Sequence, residues 1–134
     1  MSTFNERIIE EFRANEGKVG GPFEGASMLL LTTTGRRTGK PRTSPLVYTT
    51  TERGWVVAAS NAGADEHPQW FLNLQADPHA TIEVGTQTVP VEARFAEVEE
   101  RDRLYAAHAE RMPGFAEYEL ATQRTIPIVV LATG

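Results

Sequence analysis

Arg36, Arg37, Lys40 and Arg42 place four cations within seven residues, inside the stretch TTTGRRTGKPR at residues 32–42. Gly35 and Gly39 can let backbone N–H groups approach a ligand closely, and Thr34 and Thr38 can donate hydroxyl hydrogens. Arginine adds a two-pronged donor matched to phosphate or carboxylate oxygens. In composition this is an anion cradle. It is not a nucleotide-binding P-loop, because Lys40 is followed by Pro41 and not by a Ser or Thr opening a helix. Composition alone supports a solvated basic hairpin equally well, since charge runs are usually just hydrated. The background charge favours the cradle. The net charge is −5, and none of the 18 acidic residues falls between Gly25 and Glu52.

Other chemistries find little support. The chain has no cysteine, which excludes disulfides, thiolate metal sites and cysteine nucleophiles. His67, His79 and His108 are widely spaced without a second ligand at metal-site intervals, so no metal site is expected. No serine stands in a Gly-x-Ser-x-Gly elbow. The acidic balance, and the lack of aromatics interleaved with the cations, argue against a nucleic-acid partner. The run from Glu97 to Arg103 reads as a solvated helix face. A chain without a nucleophile or metal of its own fits a division of labour in which a cofactor supplies the reactivity and the protein binds and orients it.

The elements that must carry these residues fit one domain over residues 1–134, since that length supports a single core. Thr3 and Glu6 have capping-box spacing, and Phe4, Ile8, Ile9 and Phe12 recur at helical intervals, predicting a first helix to about Asn15. The glycine-rich residues 17–25 read as a loop. Strands are predicted at 28–33, 43–50 and 55–59, as an antiparallel meander, then at 80–84 and 88–95 around a turn at Gly85, and last at 126–131. Pro127 marks that last strand as an edge or an irregular start. Pro68 opens a short helix carrying Trp70, Phe71, Asn73 and Leu74, which Asp77-Pro78 stops. A charged helix spans 99–111, and a second helical stretch runs from Phe115 to about Thr122. Six strands with covering helices predict an α+β domain built on a small barrel. The N-terminus lacks the features of a secretory signal and no apolar run is long enough for a membrane span, so the expected location is the cytoplasm. The apolar side of the first helix suits packing on the barrel better than anionic lipid, given Glu6, Glu10 and Glu11 opposite; peripheral contact with the inner membrane face is the alternative.

Four ordered blocks carry a resemblance: EFRANEGKVGGPFEG at 11–25, LLLTTTGRRTGKPRTSPLVY at 29–48, VVAASNAGADEHPQWFLNL at 56–74 and FAEYELATQRTIPIVVL at 115–131. Together they resemble the deazaflavin-dependent nitroreductase family, split β-barrel reductases that use coenzyme F420, an 8-hydroxy-5-deazaflavin. The resemblance implies a split β-barrel of about six mostly antiparallel strands with covering helices. It puts Arg36, Arg37, Lys40 and Arg42 at the coenzyme's phosphate and polyglutamate tail. In similar proteins a Ser-Lys-Gly-Gly turn lies by the coenzyme, and the matching residues are Ser60, Asn61, Ala62 and Gly63, with Asn61 in place of the usual lysine. By the same carry-over Trp70 and Asn73 lie by the coenzyme, although a core anchor is an equally good reading of Trp70.

Family members that activate nitro compounds carry tyrosines at three-residue spacing near the C-terminus, lining the acceptor pocket. Here that spacing gives Phe115, Tyr118 and Ala121. Tyr118, whose alternative is ordinary packing, and Ser60 are the candidates to orient an acceptor or supply a proton; solvent serves equally well. The implied activity is hydride transfer from the reduced deazaflavin to an electrophilic small molecule: a quinone, an activated alkene or a nitro compound. The alternatives are a flavin-mononucleotide (FMN) oxidoreductase and a non-catalytic deazaflavin carrier. Split barrels of this kind are often homodimers, though no feature of the sequence demands one.

Overall fold

A computed structural model describes residues 4–20, 27–52, 54–60 and 66–133. Its elements are α1 (Phe4–Ala14), β1 (Met28–Thr34), β2 (Pro41–Val47), β3 (Thr49–Thr51), β4 (Gly54–Ala58), α2 (Gln69–Ala76), β5 (His79–Val84), β6 (Gln87–Phe95), α3 (Val98–Arg111), α4 (Gly114–Ala121) and β7 (Ile128–Ala132). The predicted cap Thr3, most of the glycine-rich loop, and Asn61, Ala62 and Gly63 lie outside the described residues. No helix among the described residues is long and apolar enough to cross a membrane.

The strands form one antiparallel sheet in the order β2-β1-β5-β6-β7-β4-β3. Its two edge strands are joined through Tyr48 alone. A gap of one residue spans only a few ångströms, so the sheet must curl until its ends approach each other. That is a split barrel. The described residues form seven strands where the sequence predicts six, because the expected strand at 43–50 breaks at Tyr48. The Tyr48 N–H donates to Ser27 O at 2.9 Å, beside β1, while Thr49 already pairs with Val56. The expected meander of the first three strands is also replaced. β2 and β3 sit at opposite ends of the sheet, and β4 pairs with β7. Pro41 and Pro45 fit in β2 because an edge strand leaves one row of N–H groups unpaired. β7 instead lies inside the sheet and starts after Pro127, the irregular start of the two expected options.

Residue alternation sorts the two faces. Leu29, Leu31 and Val57 pack in one cluster with Ile82, Val91, Ala93, Val129 and Leu131, drawn from five strands. Only the concave side of a curled sheet can bring five strands together, so this is the barrel interior. Trp70, Phe71 and Leu74 of α2 belong to the same cluster and close it. The alternate residues face outward. Met28 and Leu30 pack under Ile8 and Phe12 of α1, and Val56, Ala58, Ile128 and Val130 under Tyr105 and Phe115 of α3 and α4. β1, β4 and β7 are thus apolar on both sides and read as continuous hydrophobic runs.

Arg101 departs from expectation. It is 8% exposed instead of lying on a solvated face. Its Nε donates to Ile126 O at 2.8 Å, its two terminal nitrogens reach Asp102 and Glu119, and its guanidinium lies 4.5 Å from the centre of the Tyr105 ring. The flat guanidinium can be buried here because carbonyl, carboxylates and ring face satisfy it together.

Candidate functional site

The cation-rich segment is the hairpin between β1 and β2. Gly35 N donates to Lys40 O and Gly39 N to Gly35 O, each at 2.8 Å. Gly39 has φ +71°, a left-handed conformation that glycine adopts without strain. A Cβ on Gly35 would lie 2.9 Å from Thr38 Oγ1 and 3.1 Å from Lys40 O, so the closed turn has room only for hydrogen there. The hairpin therefore uses its own amides. This corrects the expectation that the glycine N–H groups face a ligand. Lys40 N likewise donates to Thr38 Oγ1 at 3.2 Å.

Side chains remain to face the cleft beside the hairpin. The cleft holds about 550 Å³ and is lined from the hairpin and β2 by Arg36, Arg37 and Arg42 among others, and from α2 by Gln69, Trp70 and Asn73. Of the predicted coenzyme contacts, Gly35, Arg36, Arg37, Thr38, Arg42, Trp70 and Asn73 come together here, whereas Thr34, Gly39 and Lys40 are not part of the lining. Thr43, Ser44, Pro41 and Gln69 line it without having been predicted. The β-strand alternation could have pointed to Thr43, but nothing local marks Gln69. Trp70 is 7% exposed in the barrel core, as its packing reading expects, and also borders the cleft.

Asn73 is 3% exposed and fully engaged within the protein. Its Oδ1 accepts from Arg36 N at 3.2 Å and from Arg36 Nη1 at 3.0 Å, and its Nδ2 donates to Thr33 Oγ1 at 3.2 Å. It ties α2 to the cationic hairpin and aims one guanidinium. Three arginines and no acidic residue among the described lining make the cleft suited to an anion, and Trp70 offers an aromatic surface beside it.

The sequence model of the F420H(2)-dependent quinone reductase family matches residues 6–133. The chain belongs to this family. An F420H(2)-dependent quinone reductase of Mycobacterium tuberculosis is 35% identical over 124 residues, covering 90% of this chain and 83% of its own. A solved F420-H2 dependent reductase superposes with a TM-score of 0.72 at 34% identity, covering 78% of this chain and 93% of that one. A solved structure described as a domain-swapped dimer gives a TM-score of 0.73 at 33% identity, covering 94% and 92%. The sequence resemblance, to the deazaflavin-dependent nitroreductase family and its split barrel, thus holds at the level of an F420-dependent reductase family and of the fold.

Ser60, Tyr118, Phe115 and Ala121 are not part of the described lining of the cationic cleft. Ser60, 8% exposed, follows β4, and its carbonyl accepts from Arg124 Nη2 at 2.8 Å. Tyr118 is half-buried on α4, edge-on to Phe115 with ring centres 5.3 Å apart. Phe115 itself is buried among Tyr105 and His108. The Tyr105 hydroxyl donates to Phe115 O, and burial, reinforced by Glu119, pushes its pKa up to about 12. Ala121, the third residue of that spacing, lines a second cavity of about 500 Å³ with Thr122, Gln123 and Arg124. Arg124 carried no role in the sequence reading, and no motif would have assigned one.

Proposed function

We propose that this protein is an F420H2-dependent reductase that passes a hydride to an electrophilic acceptor of the quinone type. The observation that carries the proposal is the cleft itself, with Arg36, Arg37 and Arg42 converging beside Trp70 and without an acidic residue among its described lining. This donor set fits a phosphorylated, carboxylated tail. When bound, the reduced deazaflavin supplies the hydride.

The chain's residues supply the rest. Arg36, Arg37 and Arg42 hold the anionic tail, with Asn73 fixing Arg36. Trp70 would pack against the coenzyme from the α2 side, and the Thr38 hydroxyl would donate its hydrogen from the cleft lining. The acceptor would lie toward the end of α4, where Ala121 borders the second cavity; Tyr118 and Ser60 are not part of that cavity's lining, and their roles in orienting the acceptor or passing a proton rest on the family resemblance. Positioning of donor and acceptor provides most of the rate enhancement, since the reaction needs no nucleophile from the protein. A homodimer is supported by the related structure described as a domain-swapped dimer, and light scattering of the purified protein tests it.

The deciding experiment titrates the protein with oxidised and reduced coenzyme F420, with FMN as competitor, and repeats it on an R36A/R37A/R42A variant. Tight F420 binding that weakens with salt and is lost in the variant is the expected result. Preference for FMN, or F420 binding without turnover of any quinone, overturns the proposal; the latter would leave a carrier.

A further inference from the structure

One guanidinium joins three parts of the molecule that the sequence keeps far apart. Arg124 lies in the connection between α4 and β7. Its Nη2 donates to Ser60 O at 2.8 Å, and its Nη1 donates to His67 Nδ1 at 3.1 Å. Its own backbone N–H donates to Thr122 Oγ1 at 3.3 Å, and Thr122 is 9% exposed. Ser60 marks the end of β4, where the neighbouring Ala59 N–H also donates to Pro127 O at 2.9 Å. The α4–β7 connection is therefore stitched to the end of β4 at two successive residues.

His67 leads into α2. Its ring packs on Phe71 with centres 4.8 Å apart, and Phe71 is anchored in the barrel interior with Trp70. A guanidinium only donates, so Nδ1 must accept and the neutral ring must carry its proton on Nε2. Desolvation, and then the Arg124 charge, lower the His67 pKa and keep the ring in that neutral form. On its other side Arg124 lines the second cavity with Ala121, Thr122 and Gln123.

We infer that Arg124 is a positioning residue for hydride transfer, holding Ser60 and the lead-in to α2 in fixed relation to the cavity at the end of α4. The inference rests on the reductase reading proposed above. A fork that serves two acceptors at once is a property of arginine; the lysine ammonium on a flexible stem does not reproduce it. The anionic tail is held elsewhere, by Arg36, Arg37 and Arg42 of the other loop. Loss of the fork should therefore disturb the approach of acceptor to donor more than it weakens coenzyme binding.

The test compares wild type, R124A and R124K as full chains, using reduced F420 and a soluble naphthoquinone. Single-turnover oxidation of the coenzyme should slow at least about tenfold in both variants, because small misplacements at a transfer site are expensive in rate. The coenzyme Kd should stay within about twofold, a change no larger than one exposed ion pair typically contributes. Nitrogen NMR should show the His67 Nδ1 signal displaced by its hydrogen bond from Arg124 in wild type, and that displacement should vanish in R124A. An R124K protein as fast as wild type overturns the Arg124 role while the reductase reading stands. Rate and coenzyme affinity falling together, or failure of both variants to fold, reduces Arg124 to a structural residue and also overturns it. A wild type that binds F420 without turnover instead overturns the reductase reading and this role with it.

Discussion

Asn73 grips Arg36 twice, through the backbone N–H at 3.2 Å and through Nη1 at 3.0 Å, from a position 37 residues further along the chain. The cationic hairpin is thus not a free basic loop. One of its guanidinium groups is aimed by a buried amide on the helix that closes the barrel.

Removing that amide should uncouple the two. In Asn73→Ala the bonds to Arg36 vanish and Thr33 Oγ1 loses its donor. A hydrogen bond involving a charged group contributes about 1.5–3 kcal/mol, so F420 affinity should fall by about tenfold or more, with some loss of thermal stability. Fluorescence titration beside an Arg36→Ala control checks this. Unchanged affinity in Asn73→Ala, where Arg36→Ala binds weakly, would show that Arg36 needs no holding.

The hairpin should be equally sensitive at Gly35. Its alanine variant would set a methyl group 2.9 Å from Thr38 Oγ1 and 3.1 Å from a backbone oxygen that cannot swing away. Opening the turn to relieve the contact should cost about 1–3 kcal/mol and spread Arg36 and Arg42 apart. Urea unfolding and F420 titration of Gly35→Ala should both register the change.

His108 predicts an acid limit. It is fully buried, its Nδ1 pairs with Thr49 Oγ1 at 3.1 Å, and its Nε2 has no hydrogen-bond partner among the described residues. Burial lowers its pKa from 6.5 to about 4. The folded protein therefore prefers the neutral ring. This stability is fully present above about pH 6.5 and is lost as the pH falls toward about 4, amounting to about 3 kcal/mol at one pKa unit per 1.4 kcal/mol. Urea unfolding from about pH 7.5 to about 4.5 should show the loss, and His108→Leu should flatten that part of the profile. An acid limb of undiminished slope in His108→Leu would assign it to other groups.

Arg101 should behave as a core residue. Arg101→Ala removes the donor to Ile126 O and the contacts with Glu119 and the Tyr105 ring, and it leaves a void beneath α3. A loss of about 2–4 kcal/mol is expected, against a near-neutral change for its exposed neighbour Arg103→Ala. Thermal unfolding of the two variants separates a buried anchor from a solvated face.

Much of this protein was legible in its sequence, for local reasons. Apolar alternation, with β-branched runs bounded by glycine and proline, marked the strands, and Pro68 and Asp77-Pro78 bracketed α2. The cation cluster announced an anion site because charge type and spacing are written directly in the chain. Tertiary structure decided what those residues do. The hairpin's amides turn inward to bond each other, Tyr48 breaks one strand into two edges, Arg101 goes into the interior, and Arg124 reaches Ser60 across 64 positions. Each of these depends on a partner brought close only when the sheet curls. Local patterns record which groups want a partner, and the closed barrel determines which partner each one meets.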